Sequence, residues 1–211
     1  LDPSLGTGGD YGAIEVFELP SMIQVAEWQH NITPIQQQVK IFRDVLKHVQ
    51  DELGEDSFNQ IYWSVENNTV GESALVVIDN LGEETFPGLF LSEPHRKGHV
   101  RKFRKGFNTT FNNKISSCAK VKYLIEENKL TINSKALISE LKTFIAHGTS
   151  FKAKGEEHDD LVAALLLIIR MSNLLAEWDP AVFEQLKVHS DWDADEGDFE
   201  PPLPIYISTG M

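Results

Sequence analysis

Apolar and polar positions alternate at the start of the chain, and then the period changes. Residues 11–19 and 21–30 are rich in β-branched and aromatic side chains. Pro20-Ser21 between them suits a hairpin turn, so two antiparallel strands are expected. From Pro34 the spacing becomes helical: Ile35, Val39, Phe42, Leu46, Val49 and Leu53 recur every three or four residues. Pro34 fits the first turn of that helix and Gly54 its end. Residues 60–66 return to period two, with Ile61, Trp63 and Val65 on one side and Tyr62, Ser64 and Glu66 on the other. A helix is expected near 71–80, a short strand at 89–91, and helices over 115–127 and 134–146. The last of these places Leu137, Ile138, Leu141, Phe144 and Ile145 on one face. A short strand at 149–154 precedes a helix over 157–175, apolar almost all round and therefore buried. Hairpin strands first and helix-linked strands later predict a mixed α/β sheet covered on both faces. No internal repeat is found. Past Glu177 the pattern dissolves into Pro, Asp, Glu and Gly.

The length, 211 residues, fits one domain over 1–176 with an acidic tail over 177–211, partly disordered. The longest apolar run, 161–169, is nine residues, far short of the roughly 20 that span a bilayer. Cys118 is the only cysteine, which excludes an intramolecular disulfide and a cysteine-based zinc site. No secretion signal opens the sequence, so the Asn31, Asn67 and Asn108 glycosylation matches read as chance. The net charge of −13 argues against a broadly basic nucleic-acid coat. It is uneven, however: residues 177–211 carry −8 and residues 1–176 only −5. Within the body, Arg96, Lys97, Arg101, Lys102, Arg104 and Lys105 crowd into ten positions.

Three acidic positions stand out. Asp2 leads into the strand pair, Glu66 ends an apolar strand before Asn67-Asn68, and Asp159-Asp160 opens the most apolar helix. Each has a plain reading: a turn residue, an exposed sheet residue, and acids complementing a helix macrodipole. Jointly they read differently, because carboxylates at buried element ends cost free energy unless paired or metal-bound. Oxygen donors suit Mg²⁺. Two such ions about 3.5–4 Å apart activate a water and stabilise the leaving oxygen of a phosphodiester. Gly6-Thr7-Gly8-Gly9 precedes a strand rather than a helix, so it reads as a tight turn and not a phosphate cradle.

Asp2-Pro3-Ser4-x-Gly, Val65-Glu66-Asn67-Asn68 with Gly71, and His158-Asp159-Asp160-Leu161-Val162 together resemble the nuclease domain of tailed-phage large terminases of the large contractile-tailed type. Gly106-Phe107-Asn108-Thr109-Thr110, Lys120, Leu124-Ile125-Glu126 and Leu130-Thr131-Ile132 are similar to that family as well. The resemblance covers roughly 1–175. It implies a ribonuclease H-like mixed sheet flanked by helices, to which this sequence adds a basic loop or hairpin insertion and the acidic tail. It also implies a Mg²⁺- or Mn²⁺-dependent endonuclease, with two ions, cutting concatemeric double-stranded viral DNA with little sequence specificity. By that resemblance Asp2, Glu66 and Asp160 bind metal and Asp159 assists. The implied partners are the packaging ATPase domain, the portal and the small terminase subunit, with no membrane, in the host bacterial cytoplasm. The ATPase is missing here, since no P-loop motif occurs.

The basic run, interleaved with Phe103, Phe107 and Phe111, reads either as a solvated face or as a sequence-blind grip on DNA phosphates. Lys152, Lys154 and His158 precede the aspartates, and Lys154 and His158 are candidate auxiliaries. Competing readings are a non-catalytic DNA-binding or docking module, a junction resolvase, and a sugar-kinase-like phosphotransferase, for which the chain is too short.

Overall fold

A computed structural model of the chain describes residues 1–93, 105–147, 150–155 and 157–178. The expected hairpin forms: β1 (Gly12–Glu18) pairs antiparallel with β2 (Ile23–His30), with one bulge between Val16 and Phe17. α1 (Ile35–Leu53) runs from Pro34 as N-cap to Gly54 as C-cap, where a φ of 96° calls for glycine. β3 (Tyr62–Trp63), α2 (Thr69–Leu81) and β4 (Leu89–Phe90) form a strand–helix–strand unit whose strands are parallel. α3 (Phe111–Glu126), α4 (Lys135–Thr143), the antiparallel hairpin β5 (Phe144–His147) and β6 (Ser150–Ala153), and α5 (Asp160–Trp178) complete the order.

The first two residues join the halves. Asp2 exchanges backbone hydrogen bonds with Ala13 at 2.9 and 2.8 Å, antiparallel to β1. On the other side the Leu1 amine donates to the Ser64 carbonyl at 3.0 Å, and the Glu66 N–H donates to the Leu1 carbonyl at 2.9 Å. β2, β1, residues 1–2, β3 and β4 are thereby one hydrogen-bonded strip. Beyond β3 the chain pairs with Phe107 rather than β4, through Phe107 N–H to Val65 and Asn67 N–H to Phe107.

Strand alternation then separates two cores. Leu1, Ile14 and Val65 face α1 and α2, packing with Val39, Phe42, Trp63, Ala74 and Ile78. Ala13 faces the other way, into a core with Leu161, Leu165 and Ile169 of α5 and with Val121 and Leu137. By the same period, Asp2 follows Leu1 and Glu66 follows Val65, so both carboxylates lie on the α5 side. α5 is buried nearly all round, as its composition predicts.

Two boundaries differ from expectation. The helix expected over 134–146 ends at Thr143, and Phe144 and Ile145 belong to β5. The Thr143 hydroxyl turns back to the Glu140 carbonyl at 3.1 Å, and the Phe144 ring stacks on Phe151 across the hairpin at 6.1 Å. Their pairing partners on β6, Ala153 and Lys152, are distant in sequence from the helical stripe that suggested otherwise. α5 begins at Asp160 rather than 157 and runs through Trp178, so the domain boundary expected after 176 falls inside its last turn. The tail from 179 lies outside the described residues.

The glycine-rich segment is the turn between residues 1–2 and β1; at Gly6, φ +70°, an added Cβ would lie 2.1 Å from the Thr33 carbonyl oxygen. Gln38 of α1, fully buried, anchors the same segment. Its Oε1 accepts from Ser4 N–H at 3.1 Å, and its Nε2 donates to the Ser4 and Thr33 carbonyls at 3.0 and 2.6 Å. Gln38→Ala strands these groups without partners and is expected to cost about 3 kcal/mol, read from urea unfolding. A loss below ~1 kcal/mol would show that the leading segment does not depend on this clamp.

Candidate active site

The sheet face under α5 gathers the acids. Asp2 is buried, 8% exposed. Burial, and then the charges of Glu66 and Asp160, hold its carboxyl well above the ordinary carboxylate range. The same causes show that the three groups share one neighbourhood although 64 and 94 residues separate them along the chain.

Glu66 is fixed from both sides. Asn68 caps α2 by accepting from Gly71 N–H at 2.8 Å, and its Nδ2 donates to Glu66 Oε2 at 2.7 Å. The Thr109 hydroxyl donates to Glu66 Oε1. Gly71 permits this packing: a Cβ there would lie 1.7 Å from the Glu66 carbonyl oxygen. One asparagine thus starts a helix and orients a carboxylate, which is why Glu-Asn-Asn-x-x-Gly is a compact unit.

At the start of α5 the two aspartates diverge. Asp160 is mostly buried, and its Oδ2 has no hydrogen-bond partner. Burial raises its pKa, opposed by a backbone hydrogen bond from Tyr11. His158 Nδ1 stands 3.6 Å from that oxygen, and its ring meets Tyr11 edge-on at 4.7 Å. Asp159 points elsewhere, toward Lys114 Nζ at 3.7 Å. Adjacent helical residues project about 100° apart, and here that separates a carboxylate facing Tyr11 and His158 from one facing Lys114 of α3.

Lys114 opens a cleft beside Glu66, lined also by Thr109, Asn113, Ser117 and Arg170, with room for a few waters at about 50 Å³. Arg170 is tied to Glu93 at 2.7 Å and to the Asn108 carbonyl at 3.1 Å. It lies over the Phe107 ring at 5.0 Å. These contacts fix the 105–110 segment against α5.

Among the described residues, no three His, Cys, Asp or Glu side chains close into a ready-made metal cage. The donor chemistry nonetheless fits a hard divalent cation. The site's acidic groups are all carboxylates, the charges of Glu66 and Asp160 act against that of Asp2, and a buried oxygen of Asp160 lacks a hydrogen-bond partner. Asp2, Glu66 and Asp160 are the residues that would hold such an ion.

Residues 1–172 match the terminase RNaseH-like domain family. The chain belongs to that family. Its fold is similar to the large terminase nuclease of thermophilic phage G20c. The cobalt-bound crystal structure superposes with a TM-score of 0.54 at 18% identity, over 77% of this chain and 76% of that one. The magnesium-bound structure gives 0.52 at 18%, over 79% and 77%, and a third structure 0.52 at 19%, over 79% and 76%. The terminase domain is accordingly a ribonuclease H-like α/β fold.

Other expected site residues fare variously in this terminase domain. Arg96, Lys97, Arg101, Lys102 and Arg104 lie outside the described residues, as does Phe103. Lys105 does not offer the free ammonium that the basic-patch reading assumes. It binds Asp79 at 3.0 Å and also Glu83, at the end of α2, and the hydrogen bond to Glu83 is the main cause raising its pKa. Phe107 is buried in the core under Arg170 and is unavailable for stacking on bases. Lys154 is exposed in the turn after β6.

Sequence reasoning missed Glu140, Glu15, Lys114 and Arg170. Glu140 is 8% exposed and Glu15 6%. Gln24 Nε2 donates to Glu15 Oε2 at 2.8 Å, while Glu15 Oε1 has no partner. The signal for Glu140 was present: it lies three residues after Leu137, on the apolar stripe of α4.

Burial pushes Glu15 up to about 8 and Glu140 up to about 7. Both are raised above their unfolded value near 4.5. Their stabilising contribution is therefore complete below that pH and is lost as pH rises through about 7 to 8. In EDTA, wild type is expected to lose stability from pH 5 to pH 8 relative to Glu15→Gln, the two curves diverging by up to about 1.4 kcal/mol per pH unit. Urea titrations at several pH values check this; parallel curves would refute it.

Proposed function

We propose that this chain is the cutting domain of a viral DNA-packaging terminase, an endonuclease that uses Mg²⁺ or Mn²⁺, two ions per site, to hydrolyse double-stranded DNA with little sequence preference. The observation that carries the reading is that Asp2 and Glu66 lie on the sheet face under α5, with Asp160 of the first turn of α5 near enough for its charge to act on Asp2 and one of its buried oxygens left without a hydrogen bond. The magnesium- and cobalt-bound states named for the phage G20c nucleases support a divalent ion here. When bound, the ions supply a nucleophilic water and charge stabilisation for the leaving oxygen.

The chain's own residues prepare that site. Asn68 and Thr109 hold both Glu66 oxygens in one orientation. His158 stands beside Asp160, its Nδ1 3.6 Å from the buried Oδ2, where it helps fix that carboxylate. Lys114 places an ammonium at the rim between Glu66 and Asp159, where a scissile phosphate needs a cation. The basic run over 96–104 would hold flanking phosphates without reading sequence. The packaging ATPase domain would deliver DNA, with the portal and small terminase subunit as further partners, in the host cytoplasm.

Supercoiled plasmid is expected to be nicked and linearised with Mg²⁺ or Mn²⁺ and to stay intact with EDTA. Asp160→Asn is expected to lower cutting by at least ~100-fold while DNA is still bound. Binding without cleavage by wild type under every metal condition would favour the docking-module reading instead.

Replacing Arg96, Lys97, Arg101, Lys102 and Arg104 together by Ala is expected to weaken DNA binding and flatten its dependence on log salt, by roughly 0.9 for each phosphate that is no longer neutralised. Lys105→Ala should leave that slope unchanged, because its charge is already neutralised by Asp79 and Glu83. Fluorescence anisotropy at four salt concentrations distinguishes them; equal slopes for wild type and the fivefold variant would remove the basic run from the interface.

A further inference from the structure

We propose that Glu140 is a positioning residue for the metal centre: it caps α5 from outside that helix and so leaves Asp159 and Asp160 free to serve the site. The inference rests on the metal-dependent reading above and adds a fourth acid to it in a different role.

The first N–H groups of a helix lack intrahelical partners, and the side chain at the N-cap normally accepts from one of them. This chain follows that rule at α2, α3 and α4, where Asn68, Thr110 and Ser134 accept from Gly71, Asn113 and Leu137. α5 departs from it. Its N-cap position is Asp159, whose carbonyl accepts from Ala163 N–H at 2.8 Å. The Asp159 carboxylate, however, is turned to Lys114, and the Asp160 Oδ2 atom has no hydrogen-bond partner. The acceptor is Glu140 Oε2, 3.0 Å from Val162 N–H and 22 residues earlier in the chain.

The arrangement solves a geometric conflict. An aspartate that caps its own helix folds back over the helix end and cannot also point at an ion. Supplying the cap from α4 satisfies the helix without recruiting either aspartate. Glu140 is itself buried, as are Leu161 and Val162 in the turn it caps, and the hydrogen bond from Val162 N–H holds its acceptor oxygen there. Glu140 therefore sets where the first turn of α5 sits relative to Asp2 and Glu66, and with it the position of Asp160.

Two measurements on the same chain separate this role from the metal reading. In EDTA, Glu140→Ala is expected to lower Tm by about 4 °C. Glu140→Gln, whose amide oxygen still accepts, should stay within ~1 °C, and Asp159→Ala and Asp160→Ala, which leave the α5 cap in place, should each lower Tm by less than half as much as Glu140→Ala. Glu140→Met, which keeps the volume and removes the acceptor, replaces the alanine variant if truncation alone unfolds the chain. Mn²⁺ binding by calorimetry is expected to weaken about 10-fold in Glu140→Ala and less than threefold in Glu140→Gln. The proposal is overturned if either aspartate variant loses as much stability as Glu140→Ala. It is equally overturned if Glu140→Ala is destabilised yet takes up Mn²⁺ like wild type, for then Glu140 only props the fold. If wild type takes up no Mn²⁺ while the Tm series runs as expected, the cap stands and the metal reading falls.

Discussion

Four hydrogen bonds to Leu1 and Asp2 join the antiparallel half of the sheet to the parallel half. Everything else at the site inherits its position from that junction. Because residues 1–2 lie between β1 and the end of β3, strand alternation turns Leu1, Ile14 and Val65 into the α1/α2 core and leaves Asp2 and Glu66 on the opposite face. A shift of one residue in this pairing would exchange the two faces, burying carboxylates among Phe42 and Trp63. The register is therefore held strongly: a two-sided core cannot tolerate the slip. Gln38 and the turn at Gly6 add the second constraint, anchoring the segment that follows.

The opposing term is electrostatic. Burial, with neighbouring carboxylates adding to it, raises the pKa of Asp2, Asp160, Glu140 and Glu15, and the Leu1 ammonium opposes this at Asp2 and Glu15. Each ionised group buried this way costs free energy. The packing of α5 offsets it. Leu161, Leu165 and Ile169 are fully buried, each contributing roughly 1.5–3 kcal/mol, and Val162, Leu166, Leu167 and Leu174 extend the same surface. The helix that carries Asp160 is thus also the one whose burial offsets the cost of the acids at its N-terminus. That explains its uniformly apolar composition better than core filling alone, since a helix gripped on one face could tilt to relieve the repulsion.

Much of this was legible in the sequence because it follows from period. The β1–β2 hairpin, α1, α2, β4 and α5 all announce themselves by spacing, and the Pro34 and Gly54 boundaries follow from backbone chemistry. The three separated acids were readable as one site only through their joint order. What could not be read was anything set by tertiary partners. The stripe Leu137, Ile138, Leu141, Phe144, Ile145 is compatible with a helix throughout, and only pairing with β6 ends it at Thr143. Which of Asp159 and Asp160 faces Asp2 depends on helix rotation, fixed by α3 and α4. The position of Glu140 on the apolar stripe of α4 hints at burial, but its role rests on the Val162 N–H, a backbone partner that sequence patterns do not display.

Charge shows the same division most sharply. The six cations at 96–105 form one patch by count, yet Lys105 belongs to α2 by contact, held by Asp79 and Glu83. Its backbone carbonyl accepts from Asn67 Nδ2 at 2.7 Å, one residue from Glu66, and Gly106 packs where a Cβ would lie 2.4 Å from the Val65 carbonyl oxygen. Lys105 is thus a fastener: it pins the returning end of the basic segment to the strand that presents Glu66, and Arg170 pins the following residues to α5. The segment leading to Phe107 is thus fastened to the sheet through one of its own cations, whose charge is already engaged by Asp79 and Glu83 while its carbonyl holds Asn67 beside Glu66.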